Sequence, residues 1–231
     1  MNDTHHNAEQ HQHLSARFDT ELQELKGRVL KMGHVVDAQV TAAIAAFVRR
    51  DAAAASRVVA GDHEVNGLER EIDERCVRLL ALQQPAASDL RFIAAVLKIV
   101  TDLERIGDFA VSIAENVASL DPLRVRAEQD LSGLAEAALT VLRSGLEAFV
   151  QRNVDEAQAA TTADRPVKAW VLRLASEIRD SIQRDPKLLQ NALAILLVTK
   201  HIERVAEHAT NLAEMAIYTE RGEDVRHLAH R

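Results

Sequence analysis

Apolar residues recur at steps of three and four from Leu14 to Phe47, through Phe18, Leu22, Leu25, Val29, Met32, Val36, Val40 and Ile44. That spacing is the one-sided stripe of an amphipathic α-helix. The stripe is about ten turns long, on the order of 55 Å at 1.5 Å per residue. A second stripe follows Asp51, a side chain suited to start a helix, and carries Val58, Val65, Leu68, Ile72, Cys76 and Leu79. Gln84-Pro85 ends it, because proline disfavours helical backbone at the residue before it. Ser88 then caps a third helix through Leu90, Ile93, Leu97 and Val100, which runs on until Asp121-Pro122.

The third helix contains a segment that returns 99 positions later. Leu103-Glu-Arg-Ile-Gly-Asp-Phe-Ala-Val-Ser-Ile-Ala-Glu115 is matched by Ile202-Glu-Arg-Val-Ala-Glu-His-Ala-Thr-Asn-Leu-Ala-Glu214. The first helix repeats at an offset of 102, where Phe149 answers Phe47 and Leu146 answers Ile44; Asp164 answers Asp62 at the same offset. Pro186 answers Pro85 at an offset of 101. The plan is therefore all-α: two similar antiparallel three-helix bundles, an internal repeat in a six-helix array. Expected limits are residues 14–120 for the first bundle and 124–220 for the second. Residues 1–13, with four histidines, read as a disordered His-rich tail, and 221–231 as a C-terminal tail.

In both copies the repeated acids fall at i, i+4 and i+11: Glu104, Asp108 and Glu115, then Glu203, Glu207 and Glu214. Each set forms a stripe beside the apolar seam, not within it. Carboxylates at i, i+4 repel by a few tenths of a kcal/mol, so a pair kept twice in the same frame suggests a gain, most simply a bound hard cation. If the turn between helices two and three centres near Pro85, residue i lies level with 170 − i. Asp62, Asn66, Glu104 and Asp108 then share one patch, which Glu69 and Asp73 extend. In the second half the turn centres near Asp185, which sets Glu207 near Asp164 and Glu203 near Lys168. Oxygen ligands without cysteine suit magnesium, calcium, manganese or iron better than structural zinc. The competing reading is a solvated face in which Arg105 pairs with Asp102 or Asp108 and Lys200 with Glu203. Lys168, standing at the place of Asn66, makes the second patch less acidic.

Composition narrows the function. The chain is 47% hydrophobic but only 3% aromatic, with 8 Gly and 4 Pro, which suits helices better than a β-sandwich. A net charge of −7 argues against nucleic acid as partner and against electrostatic docking on anionic lipid. No apolar leader and no membrane-length apolar run are present, so the expectation is a cytoplasmic protein, peripheral to a membrane at most. The single Cys76 is read as a small buried hydrophobe, and Trp170 as core. His201 and His208 flank the second motif; His208 is read as a surface residue, with the acid patch as its other possible place.

A carboxylate-bridged metal store or di-metal enzyme is the rival class. Such bundles use inward-facing Glu-x-x-His pairs. The residues three before each histidine outside the tail are Lys31, Ala60, Val198, Val205, Asp224 and His227, and none is Glu. Phosphate loops, His-Glu-x-x-His and nucleophile elbows are also missing.

Pro85-Ala-Ala-Ser-Asp-Leu-Arg-Phe-Ile, Leu103-Glu-Arg-Ile-Gly-Asp108 and Ile202-Glu-Arg-Val-Ala-Glu-His through Tyr218 closely resemble the PhoU family of phosphate-transport accessory regulators. Phe18-Asp-Thr-Glu and Lys31-Met-Gly add to the resemblance, which spans about residues 14–220. It implies two similar three-helix bundles with clusters of iron or other divalent ions (zinc, magnesium or manganese) on their surface at acid-x-x-x-Asp motifs. Those motifs fall on Glu104/Asp108 and on Glu203/Glu207, where Glu207 departs from the family's Asp. The resemblance further implies a non-enzymatic, homodimeric regulator. Such a protein represses the phosphate-starvation response and links a Pst-type phosphate ABC transporter to a PhoR-type sensor histidine kinase.

Overall fold

The first two helices meet at a residue with left-handed backbone. α1 (Asn2–Arg49) gives way to α2 (Ala52–Gln83) through Arg50, whose φ is 59°. Asp51 starts α2 as expected, its Oδ1 accepting from the Ala54 N–H at 2.9 Å. The computed structural model describes residues 2–83, 85–223 and 225, with side chains described for 17–82, 85–223 and 225. α3 (Ala87–Glu115) completes the first bundle. The second contains α4 (Leu131–Gln151), α5 (Val154–Ala160), α6 (Arg165–Arg184) and α7 (Leu189–Arg221). Among the described residues there is no strand. The expected pair of repeated helical bundles is what the chain forms.

Four details differ from the expectation. The helix α1 begins at Asn2, so the His-rich segment continues the helix where a disordered tail was expected. No Gly or Pro occurs before Gly27, and extending a formed helix avoids the cost of a new nucleus. Ser88 lies inside α3, whose N-cap is Ala86 with no side-chain bond. α3 stops at Glu115, and a 3₁₀ turn over Asn116–Ser119 covers the rest of the way towards Asp121-Pro122. The middle helix of the second bundle is broken into α5 and α6. Pro166, in the first turn of α6, has no N–H to carry the helix through. The C-terminal tail lies almost wholly outside the described residues.

In each bundle the two hairpin helices pack on the long first helix: α2 and α3 on α1, and α5, α6 and α7 on α4. The bundles join along α3 against α7 and along α1 against α4. At the α3–α7 seam His208 meets Asp102 and Phe109 meets His201. Both pairs sum to the same number, and the offset of 99 turns one pair into the other. The two repeats are thus related by a pseudo-two-fold axis near Ile106 and Val205, both fully buried.

The α4–α7 crossing depends on Gly145. A Cβ there would lie 2.8 Å from the Ala209 carbonyl oxygen, a backbone atom that cannot swing aside. The equivalent place in the first bundle holds Ala43. Gly145→Val is expected to cost about 1–3 kcal/mol through overpacking, whereas the same change at half-buried Gly61, which has nothing within 4 Å of the place of a Cβ, lacks that contact cost. Urea midpoints of the two variants compared with the parent check this.

Candidate functional site

α2 and α3 run antiparallel, and their outer groove gathers the predicted acids. Asp62 and Asn66 stand one turn apart on α2, with Asn66 Nδ2 donating to Asp62 Oδ2 at 2.8 Å. Glu104 and Asp108 stand one turn apart on α3. The Glu104 carboxyl is held above its ordinary range, first by burial and then by the negative charges of Asp108, Glu69 and Asp62. Glu69 is raised by burial, by Asp73 and by Asp108, and Asp73 by burial. As the hairpin arithmetic expected, α2 and α3 bring Asp62 and Glu69 close enough to act on Glu104. Arg105 lies across the α3 pair, 3.3 Å from Asp108 Oδ2 and 3.7 Å from Glu104 Oε2.

A third wall comes from α1. Gln39 is buried, and its Nε2 donates to Asp62 Oδ1 at 3.4 Å, while its Oε1 has no partner. Gly107 lies beside it: a Cβ there would touch Gln39 Oε1 at 3.4 Å and crowd Val65 at 3.3 Å. Sequence reasoning missed Gln39. The usable signal was a polar residue on the buried side of the first helix, paired with the Gly107/Ala206 difference between repeats.

The second patch occupies the α6–α7 groove and is already neutralised. Asp164, nearly buried at the start of α6, bonds Lys168 Nζ at 2.5 Å. Lys168 is raised by that bond first, and then by the charges of Glu207 and Glu203. Glu203 pairs with Lys200 at 2.5 Å and Glu207 with Arg204 at 3.1 Å. Val141 and Ala206 stand where the first patch has Gln39 and Gly107. Asp164, Glu203 and Glu207 are thus brought together as expected, around a lysine.

Among the described residues, no three His, Cys, Asp or Glu side chains converge as direct metal ligands. The first patch still fits a hard cation by its donor chemistry: a carboxylate surplus with raised protonation, an amide at Asn66 and another at Gln39. The second patch does not, because Lys168 supplies its positive charge. The expectation for His208 also changes. His208 joins neither the acid patch nor the open surface; its Nδ1 lies 2.7 Å from Asp102 Oδ1 across the bundle seam, beside Asn211 Nδ2 at 2.9 Å. His201 stacks on Phe109, and burial pushes its pKa down. Trp170 is only partly buried, packed over Gly133. Cys76 is fully buried, and burial, with Asp73, pushes its thiol up to about 12, so it is inert as expected.

A tandem helical repeat with an acid-lined groove on the hairpin of each bundle defines a two-bundle, all-α repeat protein. The family model described as the PhoU domain matches it twice, over residues 29–117 and 131–216. The chain belongs to the PhoU domain family. It is 35% identical over 218 residues to the phosphate-specific transport system accessory protein PhoU homolog of Pseudomonas putida, covering 94% of this chain and 85% of that one. It is 33% identical over 221 residues to the accessory protein PhoU of Escherichia coli K12, covering 94% and 90%. The crystal structure of PhoU from Pseudomonas aeruginosa superposes with a TM-score of 0.84 at 34% identity, covering 89% of this chain and 100% of that chain. The phosphate transport system regulatory protein PhoU from Streptococcus pneumoniae gives 0.84 at 31% identity, covering 90% and 99%. No helix among the described residues is long and apolar enough to cross a membrane.

Proposed function

We propose that this protein is a non-enzymatic regulator of phosphate uptake. It works in the cytoplasm with a Pst-type phosphate ABC transporter, passes the transporter's state to a PhoR-type sensor histidine kinase, and holds down the phosphate-starvation response. The observation that carries the reading is that both repeats align, over 94% of the chain, with relatives named as accessory proteins of the phosphate-specific transport system. The chain acts as a homodimer. A divalent cation (magnesium, manganese, zinc or iron) binds the first acid groove through Asp62, Asn66, Glu104 and Asp108. Its contribution there is charge neutralisation that stiffens the α2–α3 face. The surface position of the groove, outside both apolar cores, supports regulation over a metal store or di-metal enzyme.

The test is a clean deletion in the source organism carrying a phosphate-responsive reporter. The expected result is reporter expression in phosphate-rich medium at the level normally seen only in starvation, reversed by the wild-type gene. Reporter output unchanged by the deletion would remove the regulatory reading.

A further inference from the structure

The two ends of the α1–α4 contact are related by the repeat, yet they carry opposite chemistry. At one end the Arg50 guanidinium meets the Glu128 carboxylate at 2.6 Å, with the Glu128 side chain only 4% exposed. Arg152 lies 102 positions after Arg50, and Lys26 lies 102 positions before Glu128. That is the offset at which the first helix repeats, so exchanging the two bundles turns the pair Arg50–Glu128 into Arg152–Lys26. The backbone agrees. Both arginines follow the last turn of their helix at positive φ, 59° for Arg50 and 56° for Arg152. Where one end holds an arginine and a buried carboxylate, the other holds two cations.

The fold keeps those cations together. Arg152 Cζ lies 5.1 Å and Lys26 Nζ 5.4 Å from the centroid of the same ring, that of Phe92. Phe149 stacks on that ring at 5.0 Å. A ring face attracts a cation, but it does not cancel the repulsion between two. The nearby acids belong to Arg152: Asp89 at 3.1 Å and Glu220 at 3.6 Å. Among the described residues, neither these nor any other carboxylate forms a salt bridge with Lys26. Its ammonium is held below the ordinary lysine range by burial first and then by Arg152, and the pull of Asp89 and Glu220 does not make up the difference. This end is also the more open one: the Arg152 side chain is 25% exposed, against 14% for Arg50. An ion from solvent can reach it.

We propose that Lys26 and Arg152 bind a small oxyanion from outside the chain, which takes the part that the Glu128 carboxylate plays at the other end. Phe92 forms the floor of the site. An ammonium and a guanidinium fork together suit an ion with several oxygens and more than one charge, such as phosphate. A carboxylate on a partner's acidic segment is the other source of the same chemistry. The site does not depend on the regulatory role proposed above, because binding is read on the purified protein. Full-length chain in chloride buffer of fixed ionic strength is titrated calorimetrically with inorganic phosphate, and separately with acetate as the probe for a carboxylate. Wild type binds phosphate. Lys26→Gln removes one charged hydrogen-bond donor and weakens binding about tenfold or more, while Lys26→Arg keeps the charge and the binding. Lys26→Glu rebuilds the pair that Arg50 makes with Glu128. It therefore abolishes phosphate binding and melts at or above the parent temperature in phosphate-free buffer, which mere damage to the fold would not do. Phosphate binding with acetate silent assigns the site to a free ion. Acetate binding as tightly, and lost in Lys26→Glu, assigns it to a partner's carboxylate. A wild type that binds neither ion, or an affinity unchanged by Lys26→Glu, overturns the site.

Discussion

Arg50→Met is expected to cost about 3 kcal/mol of stability and lower the melting temperature by about 6–12 °C, at about 2–4 °C per kcal/mol for a chain of this size. The reason lies in the segment between the repeats. Glu128 is nearly buried, and Arg50 Nη2 meets its Oε1 at 2.6 Å. The same guanidinium donates to the carbonyl of Asp121, and to that of Leu123 at 2.7 Å. Breaking a buried ion pair by removing one partner strands the other and costs about 3–5 kcal/mol. The low end applies because Arg124 still holds Glu128 Oε2 at 2.8 Å, and Asn191 still bonds the Asp121 and Leu123 carbonyls. Arg50 also has φ 59°, a conformation that costs an L-residue about 1–2 kcal/mol. Arg50→Gly loses the same bonds but relieves that strain, so it should be the milder variant by about 1 kcal/mol. Urea unfolding followed by circular dichroism measures both. If each variant lies within about 0.5 kcal/mol of the parent, the range of an ordinary surface substitution, the clamp holds nothing together.

Arg50 has a counterpart at Arg152, φ 56°, which reaches Asp89 at 3.1 Å and Glu220 at 3.6 Å. Neither clamp was legible in the sequence. An arginine after the last turn of a helix reads as solvated charge, and its anchors lie 63 to 78 residues away. The apolar stripes were legible because burial imposes a period of 3.6 on every core helix, and Leu103, Ile106, Ala110 and Ile113 are indeed fully buried. The hairpin register was legible because a short turn leaves two antiparallel helices little freedom to slide, which is why Asp62 and Glu104 were placed together. The approach of α1 to that hairpin was not. Nothing local says how a helix rotates about its own axis, so Gln39 could not be assigned to the acid groove. The bond between His208 and Asp102 was hidden for the same reason: it crosses from one repeat to the other. Pro166 was a visible signal that repeat symmetry overrode. The first bundle has Glu64 at the corresponding position, and its helix runs through unbroken.

Of the two acid grooves, only the first should respond to a cation. In cation-free buffer the Glu104 carboxyl holds its proton more tightly in the folded chain than at its ordinary value of 4.5, because of burial and then Asp108, Glu69 and Asp62. The sign follows from linkage: this contribution to stability is fully present below 4.5 and is lost as pH rises through the raised folded value. Glu104→Gln should therefore leave the cation-free protein at pH 7 as stable as the parent or more so, and flatten this part of its pH dependence. Magnesium is the clean probe, because the histidines of residues 1–13 offer little to a hard, oxygen-seeking ion. At free magnesium 100-fold above its dissociation constant, the parent should gain about 2.7 kcal/mol by mass action. Asp62→Asn with Glu104→Gln should abolish that gain. Glu203→Gln should leave it intact, since the second groove already carries Lys168, held 2.5 Å from Asp164. Lys168→Asn removes that internal cation, leaves Asp164, Glu203 and Glu207 short of positive charge, and should add a second magnesium response to the first. Melting temperatures with and without magnesium decide the matter. A magnesium gain that persists in the Asp62→Asn/Glu104→Gln protein would place the ion elsewhere, and no gain in the parent would leave the first groove as a strained, uncompensated acidic surface.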